Sequence, residues 1–143
     1  MRRALQAKPW LIDTGPLVAL LVGGDGQHAW AVEQSKSAPA AVFTCEAVIS
    51  ETLFLLKRVN GNTDTVFALI EAGFLRCAFD FYDEYRRVRD LMRRYADRPM
   101  SFADACLVRM AELIPDACVW TLDRDFHFYR KHGRQSLSLV APW

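Results

Sequence analysis

Five short apolar runs, "PWLID", "AAVFT", "FLRCAF", "ACVWTLD" and "SLSLV", are separated along the chain by segments with helical spacing, and this alternation constrains the fold more than any other feature. Runs this short read as strands. The first leads into "TGPLVALLV", a helix start with Gly15 and Pro16 in its first turn, and "VGGDGQ" breaks the chain before a short second helix, "HAWAVEQS". "CEAVISETLFLLKRV" sets Val48, Thr52, Leu55 and Val59 beside Ile49, Leu53 and Leu56, giving a helix apolar around much of its girth. "TVFALIEAG" reads as a helix stopped by Gly73. "DEYRRVRDLMRRYA" carries Tyr85, Val88, Met92 and Tyr95 as one apolar stripe with arginines opposite. "SFADACLVRMAE" opens a further helix, and "RDFHFYRKHG" reads as a short helical or turn segment before the last strand. Strands alternating with helices predict an α/β fold around a mainly parallel sheet.

The length, 143 residues, suits one domain, 1–143. The N-terminal "MRRALQAKPW" is basic but has no apolar signal core, and "PLVALLV" is too short to cross a bilayer, so the expectation is a cytoplasmic protein without a membrane partner. Cys45, Cys77, Cys106 and Cys118 form no C-x-x-C pair and lie in apolar segments, which argues against zinc and disulfides. With a net charge of only +1, any electrostatic attraction for nucleic acid must be local.

Four acids stand out by position. Asp13 ends the first strand and Asp123 the fourth, while Glu51 and Asp104 lie in the first turns of helices. In right-handed β-α-β units the helix N-termini and strand C-termini share one sheet edge, so all four acids face the edge where open α/β sheets bind ligands. Glu51 has Ala47, Val48, Phe54 and Leu55 three and four positions away, and Asp104 has Met100, Leu107 and Val108. Carboxylates in such company lose hydration and repel one another. A divalent cation removes both penalties, and Mg2+ or Mn2+ matches an all-oxygen donor set.

Capping explains some of these acids separately. Asp13 and Asp123 each sit where an N-cap is expected, and Ser101 to Asp104 fits a capping box. Glu51 has no such explanation. "VGGDG" lacks the Lys-Ser/Thr of a phosphate loop, and Gly15 stands where a phosphatase of the "LIDTG" type needs a second Asp.

Taken in order, "LIDTGPLVAL", the Glu of "VISETLFLLKR", "MSFADACLVRMAE" and "VWTLDRDF" resemble the segments of PIN domains, most closely the VapC-like toxins of bacterial toxin–antitoxin pairs. The resemblance runs from Trp10 to about Val140. It implies a PIN-like, Rossmann-like three-layer sandwich with a five-stranded sheet in order 3-2-1-4-5, and metal-dependent endonucleolytic cleavage of RNA. The family's acids fall on Asp13, Glu51, Asp104 and Asp123, with Asp125 as a helper or a cap, and Thr14 and Thr121 match supporting hydroxyls. Asp13 and Asp104 are then expected to hold the principal ion, Glu51 to share it or orient a water, and Asp123 to help a second. Residues 1–9 form an extension that many relatives lack.

Setting aside four of the 17 acids as ligands leaves 13 against 18 basic residues, so the remaining surface is mildly positive. Two stretches offer RNA contacts. One is the helix bearing Arg86, Arg87, Arg89, Arg93 and Arg94; the other is "RDFHFYRKHGR", with Arg124, Arg130, Lys131 and Arg134, in which Phe126 and Phe128 read as core and not as base platforms. Each stretch reads equally well as a solvated face. Expected partners are an RNA substrate, a cognate antitoxin protein on the apolar surface of Thr52 to Val59, and a second copy in a homodimer. The competing reading is a non-catalytic PIN-like module that binds RNA or protein.

Overall fold

Trp10–Ile12 forms β1, which pairs in parallel with β2 (Val42–Thr44) on one side and β4 (Cys118–Trp120) on the other. Strand β3 (Leu75–Cys77) extends the sheet beyond β2, and β7 (Ser138–Val140) beyond β4, again in parallel. The order is therefore β3-β2-β1-β4-β7. This is the arrangement implied by the family resemblance, with the fifth core strand numbered β7 because a small hairpin precedes it. The computed structural model describes residues 7–143, so most of the 1–9 extension lies outside the described residues.

Among the described residues, six helices flank the sheet. Helices α1 (Thr14–Leu21) and α2 (His28–Ser35) connect β1 to β2; α3 (Glu46–Arg58) and α4 (Asp64–Glu71) connect β2 to β3. Helices α5 (Phe81–Arg94) and α6 (Phe102–Leu113) return the chain to β4. Leu11, Ile12, Val119 and Trp120 on the two central strands are wholly buried, as expected for parallel strands covered on both faces. Helix α6 is the most deeply set, burying Ala103 to Val108 as one continuous run along with Met110 and Ala111.

Gly73 ends α4 as the sequence predicts. Its φ of +81° places it in the left-handed region, its N–H donates to the Ile70 carbonyl at 3.0 Å, and the next N–H, of Phe74, donates to Leu69 at 3.1 Å. These are the two bonds of a Schellman motif, which any side chain at Gly73 would strain.

Three local expectations are corrected. The segment after β4 is a 3-10 turn, Arg124–His127, followed by an antiparallel hairpin of β5 (Arg130–Lys131) and β6 (Gln135–Ser136). Its turn has positive φ at both His132 (52°) and Gly133 (80°). On α5 the buried stripe is Val88, Leu91 and Tyr95, while Tyr85 and Met92 are exposed. Of the four cysteines, Cys77 is exposed rather than apolar filling.

A carboxylate on α6 helps tie the hairpin to the helices. Glu112 on α6 accepts two bonds from Arg87, at 2.9 and 2.7 Å, one from Arg109 at 3.3 Å, and one from the His132 backbone N–H at 2.6 Å. Burial pushes its pKa up, but these donors outweigh burial and leave it below the usual range. Arg109 also donates to Glu84 at 2.7 Å.

Candidate metal centre

Asp13 leaves β1 as the N-cap of α1, and its Oδ1 accepts from the Thr14 N–H at 2.8 Å. Its other oxygen accepts from the Thr121 hydroxyl at 2.8 Å, across the β1–β4 pair. The Thr121 hydroxyl in turn accepts from the Asp123 N–H at 2.9 Å. One buried threonine thus fixes both strand-terminal acids.

Asp104 occupies the third position of a complete capping box. Its N–H donates to the Ser101 hydroxyl at 3.0 Å, and its Oδ2 accepts from the Ser101 N–H at 3.2 Å. The same Oδ2 accepts from the Tyr129 hydroxyl at 3.2 Å. Oδ1 has no hydrogen bond among the described residues. Capping and ligation are therefore compatible at this residue, because they use different oxygens.

Glu51 projects from the second turn of α3, and its Oε2 accepts from the Thr14 hydroxyl at 2.8 Å. It is exposed, which corrects the expectation that apolar neighbours strip its hydration; Phe54, on the next turn, itself faces solvent. Asp123 caps the 3-10 turn, its Oδ1 accepting from the Asp125 N–H at 2.9 Å. Asp13, Glu51, Asp104 and Asp123 all line one open cleft of about 410 Å³, together with Thr14, Ser101 and Gly15. Asp125 is not among the residues lining it.

Burial separates the acids. Asp13 and Asp104 are each only 6% exposed. Burial pushes the Asp13 carboxyl from an ordinary 3.8 up to about 7, opposed by the Thr121 hydroxyl and reinforced by the charge of Asp104. Asp104 rises to about 6, again chiefly through burial, with the Ser101 N–H opposing and Asp123 adding to the rise. The Tyr129 hydroxyl is pushed above its usual range by burial and by the neighbouring Asp104, so it stays protonated and donates.

Among the described residues, no three His, Cys, Asp or Glu side chains converge tightly enough to enclose an ion by themselves. The donor set nonetheless fits a hard divalent cation of the kind that keeps several waters and takes only one or two carboxylates directly. Two buried, mutually repelling carboxylates, of which Asp104 keeps its Oδ1 free of hydrogen bonds among the described residues, are the fit that supports it.

A family model for the PIN domain matches residues 10–131. The chain belongs to the PIN-domain family. Among solved structures, this PIN domain is similar to VapC20 of Mycobacterium tuberculosis, described as a sarcin–ricin loop cleaving toxin, with 27% identity and a TM-score of 0.68 over 81% of this chain and 91% of that one. Its recognition as a VapC-like PIN domain rests on these two likenesses. No curated protein matches.

The basic residues of the PIN domain are more committed than their spacing suggests. Arg87 is held by Glu112, Arg94 donates to the Gly133 carbonyl at 2.7 Å, and Arg130 donates to the carbonyls of His127 and Tyr129. The Arg124 guanidinium lies 5.3 Å from the Trp143 ring centre, while Arg134 is exposed and Lys131 half-buried. Phe126 is core as expected, but Phe128 is about half exposed under Arg98, 4.0 Å from its ring centre. Tyr129 was missed. It sits 25 residues from Asp104 in a segment whose hairpin was not foreseen, so neither periodicity nor spacing pointed to it.

Proposed function

We propose that this PIN domain is a metal-dependent endoribonuclease and the toxin of a toxin–antitoxin pair, acting in the cytoplasm. The observation that carries this reading is the pair of nearly buried carboxylates, Asp13 and Asp104, beside Glu51 and Asp123 in one cleft open to a polymer. Asp13 and Asp104 would hold Mg2+ or Mn2+, Glu51 would share it or orient a water, and Asp123 would serve a second ion. A cation bound there supplies Lewis acidity toward a phosphoryl oxygen and lowers the pKa of water.

The chain's own groups do the rest. Thr121 holds Asp13, Thr14 holds Glu51, and Ser101 with Tyr129 holds Asp104, so the acidic oxygens are oriented before substrate arrives. Arg124, Arg130, Lys131 and Arg134 follow Asp123 in sequence and supply positive charge for the phosphate chain. The apolar surface suited to an antitoxin is narrower than Thr52 to Val59: Thr52 and Leu56 are buried, while Phe54 and Val59 on the α3 segment and Phe67 and Ile70 on α4 are exposed.

The likeness to VapC20 supports RNA as the substrate and makes a sarcin–ricin loop oligonucleotide a natural addition to a pool of structured RNAs. Purified protein with Mg2+ or Mn2+ is expected to cut within that pool, and EDTA or Asp104→Asn to abolish cutting. Failure of the wild type to cut, together with no calorimetric cation binding, would overturn the proposal in favour of a non-catalytic binding module.

A further inference from the structure

The carboxylate cleft has a neighbour on the same sheet edge. A larger opening, about 880 Å³, lies between the start of α3, the loop after β3 and the start of α6. The first turns of α6 separate the two: Ser101 and Asp104 line one, Phe102 and Cys106 the other. Its wall is aromatic, formed by Phe79, Phe81, Tyr82 and Phe102. Tyr82 is 83% exposed, and Phe81 meets Phe102 edge to face at 5.1 Å. Solvent-facing aromatic rings gathered beside a polymer-cleaving edge are stacking platforms in single-stranded RNA recognition.

The charges in this opening select its occupant. Glu46 and Asp80 line it, and none of its lining residues is Lys or Arg, so a phosphodiester is repelled. A flat, neutral group bearing N–H donors is accepted. Asp80 is engaged, capping α5 through the N–H groups of Tyr82 and Asp83 at 3.0 and 3.4 Å. Glu46 is exposed and makes no side-chain hydrogen bond among the described residues. A carboxylate with two open oxygens matches two adjacent N–H donors, which guanine presents on its Watson–Crick edge. Uracil presents one N–H between two carbonyl oxygens, which the carboxylate repels.

We propose that this cleft takes an unpaired guanine of the RNA substrate, stacked on Tyr82 and Phe102 and read by Glu46, while the adjoining phosphodiester lies across the start of α6 at the carboxylates. The proposal rests on the ribonuclease reading above.

The test uses the full chain carrying Asp104→Asn, so that RNA is bound without being cut, and fluorescence anisotropy with the labelled hexamers UUUUUU and UUUGUU. The guanine-containing probe is expected to bind about fivefold more tightly or better. Adding Tyr82→Ala should remove most of that advantage. Adding Glu46→Gln should remove the preference for the guanine-containing probe, with circular dichroism confirming the fold in each case. Equal binding of the two probes, or a preference that survives both substitutions, overturns the proposal. So does a Tyr82→Ala protein that binds RNA normally but sediments as a smaller species, which assigns the aromatic face to a second copy of the chain. If the wild type cuts the structured pool and the guanine preference is absent, only the base cleft falls; if no RNA is bound or cut, the ribonuclease reading falls with it.

Discussion

At the scale of single residues, the proposed function gives Asp104 two duties that usually exclude each other, since a capping carboxylate is normally spent on its own helix. Here the spent oxygen is Oδ2, shared by Ser101 and Tyr129. Replacing Asp104 with Asn keeps an oxygen for those two donors and removes the buried charge. Asp104→Asn is therefore expected to raise the melting temperature in EDTA by about 3–6 °C, while cleavage falls by roughly 100-fold or more; a variant that melts lower in EDTA would show that the charge is compensated by the protein alone. Tyr129→Phe tests the positioning role of the hydroxyl. The ring remains packed against Tyr95 and Phe126, so the fold should persist, but Mn2+ affinity measured by calorimetry should weaken by about tenfold. Unchanged affinity would reduce Tyr129 to a core residue. Asp13 and Asp104 were legible in the sequence because an acid ending an apolar strand and an acid inside an apolar helix start are both costly without a reason. Tyr129 was not, because its reason lies across space in another element.

Among the elements, the hairpin of β5 and β6 was the hardest to foresee. Each strand has two residues, too few for alternation to register, and the turn places a His, not the usual Asn or Asp, at the first positive-φ position. The hairpin is held by Glu112, whose buried carboxylate gathers Arg87, Arg109 and the His132 N–H, together with Arg94 on the Gly133 carbonyl and the Tyr95 hydroxyl on the Arg130 N–H. Glu112→Ala leaves Arg87 and the His132 N–H without this partner, while Arg109 keeps Glu84, and is expected to cost about 3 kcal/mol, read as a lower denaturation midpoint. Hydrogen exchange should quicken at residues 130–136 more than in β1, and uniform protection loss would contradict a local role. The α5 stripe was displaced for a similar reason. Its sequence allows two adjacent apolar faces, and only packing against α6 selects Val88 and Leu91 for burial over Tyr85 and Met92.

For the whole molecule, the two raised carboxyls link stability to pH. In the cation-free protein Asp13 and Asp104 hold protons up to about pH 7 and 6, whereas the unfolded chain releases them near 3.8. The folded state thus binds more protons than the unfolded state across that interval, and stability must fall as pH rises through it. In EDTA the melting temperature is expected to decline from about pH 4 to 7, more steeply for the wild type than for Asp104→Asn. Saturating Mn2+ should raise it most at the upper end, where protons no longer compete for the oxygens. Equal slopes for the two proteins would mean that Asp104 keeps an ordinary carboxylate pKa. The sheet and its edge were readable at this scale because alternating strands and helices leave few topologies. Glu51 was placed on the correct edge by that logic, yet its exposure was misjudged, because helical spacing identifies its neighbours without showing that Phe54 turns outward.

The Thr121 hydroxyl, giving its proton to Asp13 and receiving one from the Asp123 backbone, has a consequence for control. The acids of the cleft are aligned by hydrogen bonds formed during folding, so the proposed ion would find them already in place, without a search among rotamers. On the proposed function, a newly synthesised chain would be active as soon as its sheet closes. Under that proposal, restraint would have to come from something that occupies the cleft's mouth and is present at the moment of synthesis.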